Sequence, residues 1–323
     1  MLKYILYHMN TVPIILTFDN NMSLPAAVCI SSMMMSAKED TFYDFFILHA
    51  GDKPDITDLP KILASYHNMR VQYRNVGDAF SGAYEIRGIT QAAYYRLLAP
   101  ELVTEYDRAI YADVDMIIRL DLSDLLTKDL GENYLGAVYG LGLNVEEQGR
   151  KYVESIGLIP GDYFLSGFLL MNLSKMRQDG IVDRFKSLSG KNYKYQDQDI
   201  MNIVCQGRIM PISYEYSMVV GAFESVIMDT PLLKTKYMFS DLDDNSLVHS
   251  NIHYNGVKPW RGWCPNLDQW WEYYRKSPVY DPHVYFSFFY NKLDELDQLP
   301  LMKRLKVLFR YFSVGKKQPK FKI

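Results

Sequence analysis

The chain has 323 residues, 48% hydrophobic and 23% charged, with a net charge of −3. This is ordinary globular composition, which excludes a disordered, collagen-like or low-complexity chain. At about 150 residues per domain the length suggests roughly two domains. Apolar runs break well short of the roughly 20 residues that a membrane span needs, so no transmembrane segment is expected. Residues 1–10 have one lysine and no small-residue cleavage site, so no signal peptide is expected. The three cysteines, Cys29, Cys205 and Cys264, are far apart, with no Cys-x-x-Cys pair. A disulfide framework or cysteine zinc site is therefore not expected, and a cytoplasmic, reducing location is. Eight of the 35 Lys and Arg lie in residues 303–323, which contain none of the 38 Asp and Glu. An acidic body with a basic tail does not match a nucleic-acid-binding domain, so no nucleic-acid partner is expected.

In chain order, residues 12–18 read as a buried first strand ending in the turn Asp19-Asn-Asn21. Ser23 is expected to cap a helix that carries Pro25 in its first turn. Leu24, Ala27, Val28, Ser31 and Met35 form its inner face. Residues 43–49 read as a second strand, 57–67 as a helix with Leu59, Ile62, Leu63 and Tyr66 on one stripe, and 70–74 as a third strand. Thr90 is expected to cap the next helix and Pro100 to stop it. Residues 108–112 form a strand running directly into Asp113-Val-Asp115. Strands follow at 134–139 and 167–172, then a helix at 198–206 ended by Gly207. Residues 213–262 show little periodicity. After Pro265, Asn266 and Gln269 form a capping pair, and Leu267, Trp270, Trp271 and Tyr274 follow at helical spacing. The alternation of strands and helices predicts an α/β body over residues 1–265 and a small C-terminal helical region over 266–323.

Ligands of open α/β sheets bind at the carboxyl ends of strands. Two such ends here carry acidic turns, one at Asp19 and one at Asp113 and Asp115. Two carboxylates two residues apart can approach one hard divalent cation, which also accepts phosphate oxygens. Asp-x-Asp alone is a common pattern, recurring here at Asp197 and Asp199 and at Asp241 and Asp243. The copy at 113–115 is set apart by the apolar strand before it. His253 opens His-Tyr-Asn-Gly-Val-Lys-Pro-Trp260, where Gly256 permits close approach of a phosphate and Lys258 offers a charge for it. The competing reading is a turn fixed by glycine and proline, with Trp260 in the core.

These segments, in this order, resemble glycosyltransferase family 8, a retaining, metal-dependent family that includes bacterial lipopolysaccharide galactosyl- and glucosyltransferases and is related to glycogenin. The resemblance covers residues 12–262 and rests on residues 15–21, 93–97, 110–115, 163–173, 195–199 and 253–260. It implies a GT-A type, Rossmann-like nucleotide-binding mixed sheet flanked by helices. Carried over by position, it implies Mn²⁺ or Mg²⁺ held by Asp113, Asp115 and His253. Thr17, Asp19 and Asn21 would hold the uracil and ribose side of a UDP-sugar donor, Gly256 and Lys258 would contact its diphosphate, and Val114 would also bind the donor. Arg96, Asp197 and Gln198 would surround the sugar, with Gln198 nearest the reacting carbon. The pattern departs at Met22, where an aromatic residue often stacks on uracil, and at Leu165, where an asparagine often binds the sugar; Ser166 is a candidate replacement.

The expected reaction is transfer of glucose or galactose from the UDP-sugar to a hydroxyl of a cell-envelope glycan, polysaccharide or lipid-linked acceptor, with retention. A neutral amide at 198 favours front-face attack over a covalent carboxylate intermediate, leaving Asp197 as the carboxylate to test. The alternative is a catalytically weak homologue that binds without turnover. A sugar-nucleotide pyrophosphorylase fits less well, because residues 19–22 carry no basic glycine-rich loop, and so does a phosphatase, whose Asp-x-Asp would follow the first strand. Residues 299–323 form a basic amphipathic segment that fits peripheral contact with the inner face of a membrane.

Overall fold

The computed structural model describes residues 9–85, 90–219 and 249–312. Strands β1 (Asn10–Thr17), β2 (Thr41–His49), β3 (Met69–Asn75), β4 (Arg108–Ala112), β6 (Leu135–Tyr139), β7 (Phe164–Asn172) and β8 (Ile209–Pro211) form a seven-stranded sheet in the order β3-β2-β1-β4-β7-β6-β8. β3, β2, β1 and β4 are mutually parallel, while β7 runs antiparallel to both β4 and β6. β5 (Met116–Ile117), β9 (Met218–Val219) and β10 (Ile252–His253) make a second, small sheet in the order β5-β10-β9.

The apolar runs are continuous because both faces of the sheet are covered. Alternate residues then feed two cores. Ile14, Leu16, Phe45, Ile47, Ile110 and Phe168 enter one, and Ile15, Phe46, Leu48, Tyr111 and Leu169 the other. Helix α1 (Ser23–Ser36) lies in the first core, buried from Pro25 to Met34 on all sides rather than on one face. Ser23 does not cap it. Ser23 is its first residue, and its hydroxyl pairs with Thr57 Oγ1 at 2.8 Å. Asp19 instead caps a single 3-10 turn, accepting from the Asn21 amide at 2.9 Å.

Helix α2 (Leu59–Ser65) buries only Ile62, and Leu63 faces solvent. The segment after Thr90 is a 3-10 helix, Gln91–Leu98, followed by the short α3 (Ala99–Leu102). Pro100 sits in the first turn of α3, where its missing N–H costs nothing, so it starts a helix rather than stopping one. Thr90 gives no side-chain cap, because its hydroxyl donates to Asp19 Oδ2 at 3.2 Å. Helix α4 (Gln196–Val204) begins two residues before its expected start and packs Ile200, Met201 and Val204 into the second core.

After residue 265, α5 (Leu267–Lys276) places Trp270, Trp271 and Tyr274 in the first core, with Trp270 and Tyr274 stacked. The expected capping pair does not form. Asn266 lies at φ 58° with its carbonyl accepting from Tyr254 Oη at 2.7 Å, and the Gln269 amide turns to Asp268. Helices α6 (Pro282–Asp297) and α7 (Leu301–Phe312) follow. On α7 both Leu301, Met302, Leu305 and Phe309 and the cations Lys303, Arg304 and Lys306 are exposed. The remainder of the basic tail, and the Asp241–Asp243 pair, lie outside the described residues. No described helix is long and apolar enough to cross a membrane.

Candidate active site

The site forms where β1 and β4 end side by side and the antiparallel β7 begins beside them. β4 carries Tyr111 and, two residues on, Asp113 on the same side. Tyr111 Oη donates to Asp113 Oδ1 at 2.6 Å and lies 3.0 Å from Thr17 Oγ1 at the end of β1. The Asp113 amide donates to the Gly167 carbonyl of β7 at 2.8 Å, which fixes the turn that follows. Asp115 leads into β5, whose pairing places His253 of β10 opposite Met116. Residues 140 positions apart thus meet. One ligand atom each from Asp113, Asp115 and His253 lies within 4.8 Å of the others.

His253 Nε2 is 3.6 Å from Asp113 Oδ2 and 3.4 Å from Asp115 Oδ1, too far for good hydrogen bonds. Asp115 Oδ1 is buried and has no hydrogen-bond partner among the described residues. A buried carboxylate oxygen left unpaired is costly. Two carboxylates and an imidazole around one gap form a donor set suited to a divalent cation. The residues therefore fit Mn²⁺ or Mg²⁺. His253 Nδ1 lies 3.2 Å from the buried Ser217 Oγ, which leaves Nε2 for the carboxylates. Lys258 Nζ bonds Asp115 Oδ2 and donates to the Tyr254 carbonyl at 2.6 Å.

Arg96 is buried beneath the site. Its guanidinium pairs with Asp113 at 3.0 Å and Asp197 at 3.2 Å, donates to the Ser166 carbonyl at 2.7 Å and lies over the Tyr111 ring at 4.2 Å. Gln198, at the start of α4, is held at both ends. Its Oε1 accepts from the Ser166 amide, and its Nε2 donates to Tyr163 Oη, each at 3.1 Å. Tyr163 in turn donates to the fully buried Asp199.

Burial dominates the electrostatics and is opposed by these pairings. Burial raises Asp197 to about 6, with Arg96 lowering it and Asp113 raising it. Burial would raise Asp113 and Asp115 also, but Arg96 and His253 hold the first below the usual carboxylate range, and His253 and Lys258 the second. Burial alone would lower His253, yet Asp115 and Asp113 lift it to about 9. The folded imidazole thus binds its proton more tightly than the unfolded one. Its ion pairs stabilise the metal-free fold below about pH 6.5, and that contribution is lost as pH rises through about 9. A divalent ion must displace this proton. We therefore expect Mn²⁺ affinity, measured by calorimetric titration of the nucleotide-free protein, to rise up to roughly tenfold per pH unit between 6.5 and 8.5. A flat profile would contradict the triad as ligands.

Of the residues singled out from sequence, Thr17, Arg96, Asp113, Asp115, Asp197, Gln198, His253 and Lys258 form one connected cluster. Asp19 stands apart from it, bordering a cavity of about 460 Å³ lined also by Asn20, His49, Asp52, Thr90 and Tyr95. Asn21 is exposed, tied to Asp19 through its backbone only. Val114 is buried in the core, leaving its backbone for any ligand contact. Gly256 is exposed, and a side chain there would meet open space. Met22 is half-buried against the core. The Ser166 hydroxyl donates to Asp197 at 3.2 Å, so it is already engaged rather than a free substitute for an asparagine at 165. Tyr111, Tyr163, Gly167, Asp199 and Ser217 were not singled out as site residues. Tyr111 could have been, since strand alternation puts it on the Asp113 side; Ser217 lies in a stretch without periodicity and gave no signal.

The model of glycosyl transferase family 8 matches residues 13–264. The chain belongs to this family. A lipopolysaccharide 1,2-glucosyltransferase of Escherichia coli is 25% identical over 273 residues, 80% of this chain and 77% of its own. Its counterpart in Escherichia coli K12 is 33% identical over 182 residues, 54% of this chain and 51% of its own. The chain thus spans between about half and three-quarters of these relatives. The structure of the galactosyltransferase LgtC in complex with donor and acceptor sugar analogs superposes with a TM-score of 0.63 and 24% identity, over 81% of this chain and 95% of that one. The α/β sheet and its flanking helices are accordingly a GT-A type fold.

Proposed function

We propose that this family 8 member is a retaining, divalent-metal-dependent hexosyltransferase that moves glucose or galactose from a UDP-sugar to a hydroxyl of a cell-envelope glycan, polysaccharide or lipid-linked acceptor. The observation that carries the reading is the triad Asp113, Asp115 and His253, in which a buried Asp115 oxygen accepts no hydrogen bond among the described residues. The relatives' names support the hexose and the lipopolysaccharide class of acceptor. The cavity bordered by Asp19, two residues past the end of β1 at Thr17, would take the nucleoside.

A bound Mn²⁺ or Mg²⁺ would neutralise charge developing on the departing diphosphate. Lys258, which bonds Asp115, would add a second positive charge at that diphosphate. Arg96 fixes Asp113 and Asp197 relative to one another. Asp197 is buried and committed to Arg96 and Ser166, which suits orienting a sugar hydroxyl rather than attacking carbon. Gln198, locked by Ser166 and Tyr163, presents an amide, a poor nucleophile. Both facts favour front-face attack, in which the acceptor oxygen approaches from the side that UDP leaves and its proton passes to the leaving phosphate oxygen.

The test is UDP release from a panel of UDP-hexoses with and without Mn²⁺. We expect metal-dependent release from UDP-glucose or UDP-galactose, increased by acceptor. No release, together with no UDP binding in the presence of Mn²⁺, would overturn the reading.

A further inference from the structure

Gly167 lies in the middle of β7 with Asp113 and His253 packed against it. A Cβ built on Gly167 would stand 2.2 Å from His253 Cε1, 3.0 Å from His253 Nε2 and 2.7 Å from Asp113 Oδ2. The 2.2 and 2.7 Å approaches are closer than non-bonded atoms allow and the third is at the limit, and all three atoms belong to two members of the triad. The backbone at Gly167 is outside the left-handed region, so glycine is not there for its conformational freedom. It is there for the space. A glycine inside a strand otherwise weakens it, and marks close approach of another group. On the far side of the imidazole, Ser217 Oγ lies 3.2 Å from Nδ1 and is fully buried.

We propose that Gly167 and Ser217 are positioning residues for the metal centre. Gly167, through its missing side chain, lets His253 and Asp113 close over β7 to ligand distance, and Ser217 holds Nδ1 so that Nε2 faces the two carboxylates. Neither touches the ion. This inference rests on the metal-binding part of the proposed function. Neither His253 nor Asp113 can retreat cheaply from an added methyl group: His253 is on a strand whose partner β5 fixes its register, and Asp113 is tied to Arg96 and Tyr111. The displaced group is thus the ring or carboxylate itself.

The test measures Mn²⁺ affinity, by electron paramagnetic resonance of the free ion, in the absence of nucleotide. Outer groups that orient a ligand typically change metal affinity by about 10- to 100-fold. We expect Gly167→Ala to lose affinity within that range, with an unchanged near-ultraviolet circular dichroism spectrum. We also expect the loss in the double variant Gly167→Ala/His253→Ala to be smaller than the sum of the two single losses, because part of the glycine's effect runs through the histidine and the rest through Asp113. Ser217→Ala, which adds no volume and so tests the idea even if the glycine variant fails to fold, should lose affinity too, and Ser217→Thr should recover most of it. Full affinity in Gly167→Ala, additive losses in the double variant, or full affinity in Ser217→Ala would overturn the proposal while leaving the metal site standing. A wild-type chain that binds no Mn²⁺ would instead remove the metal site and this inference with it.

Discussion

Asp115→Ala is expected to abolish Mn²⁺ binding and to lower UDP release by about 10³-fold or more, equivalent to roughly 4 kcal/mol of transition-state stabilisation. Asp115 is the residue on which both sources of positive charge converge. His253 Nε2 approaches its Oδ1, and Lys258 holds its Oδ2. Removing the carboxylate takes away a proposed metal ligand and frees the lysine from its present anchor. The fold should survive this better than the activity. The usual danger in deleting one member of a buried ion pair is the charge left behind. Here His253 can shed its proton once Asp115 no longer raises its affinity for it. Lys258 is partly exposed and can turn to water. Loss of turnover should therefore come with a melting temperature lowered by only a few degrees, read by circular dichroism on the same sample. Asp115→Asn separates charge from shape: it keeps the side chain's outline and should still lose the ion. Activity retained in either variant would mean that the triad is a structural ion cluster and that the phosphate chemistry lies elsewhere.

Much of this arrangement was legible from residue patterns, for identifiable reasons. β1, β2 and β4 are buried on both faces, so they read as unbroken apolar runs, and their carboxyl ends follow directly from where those runs stop. Asp113 and Asp115 are legible as a pair because the strand before them has nowhere else to end. Local capping was less legible. Ser23, Thr90 and Gln269 carry side chains expected at helix starts, yet each is drawn off to another side chain, Thr57 for Ser23, Asp19 for Thr90 and Asp268 for Gln269, while Asn266 stands in the left-handed region with no side-chain cap bond. Proline also misleads when read alone, since Pro100, expected to stop the helix after Thr90, sits in the first turn of the next one. The small sheet of β5, β9 and β10 was not legible at all. Each of its strands is two residues long, too short for any period, and the pairing of β10 with β5 spans more than a hundred residues. His253 was recognisable only by the motif it opens; Ser217, its partner, has no motif.

Arg96→Met should be the most destabilising single change in the site, costing about 3–5 kcal/mol at pH 7.5 in urea unfolding. The guanidinium is buried and serves several partners at once: Asp113, Asp197, the Ala93 and Ser166 carbonyls and the face of Tyr111. Methionine fills a similar length but leaves Asp113 and Asp197 near one another with no cation between them. Lysine cannot substitute fully, since one ammonium lacks the planar fork that reaches both carboxylates. The pH dependence distinguishes charge from packing. Asp197 stands at about 6 even with Arg96 beside it, because burial raises it. Without the guanidinium it must rise further, above the ordinary range near 4 of the unfolded chain. The native variant then binds a proton over this interval that its unfolded form does not, so its stability increases as pH falls. The deficit relative to wild type should accordingly shrink on going from pH 7.5 to 5.5. An equal deficit at both values would assign the loss to the vacated space against Tyr111 rather than to unpaired carboxylates. It would also weaken the case for Arg96 as the group that sets the spacing of Asp113 and Asp197 around the sugar.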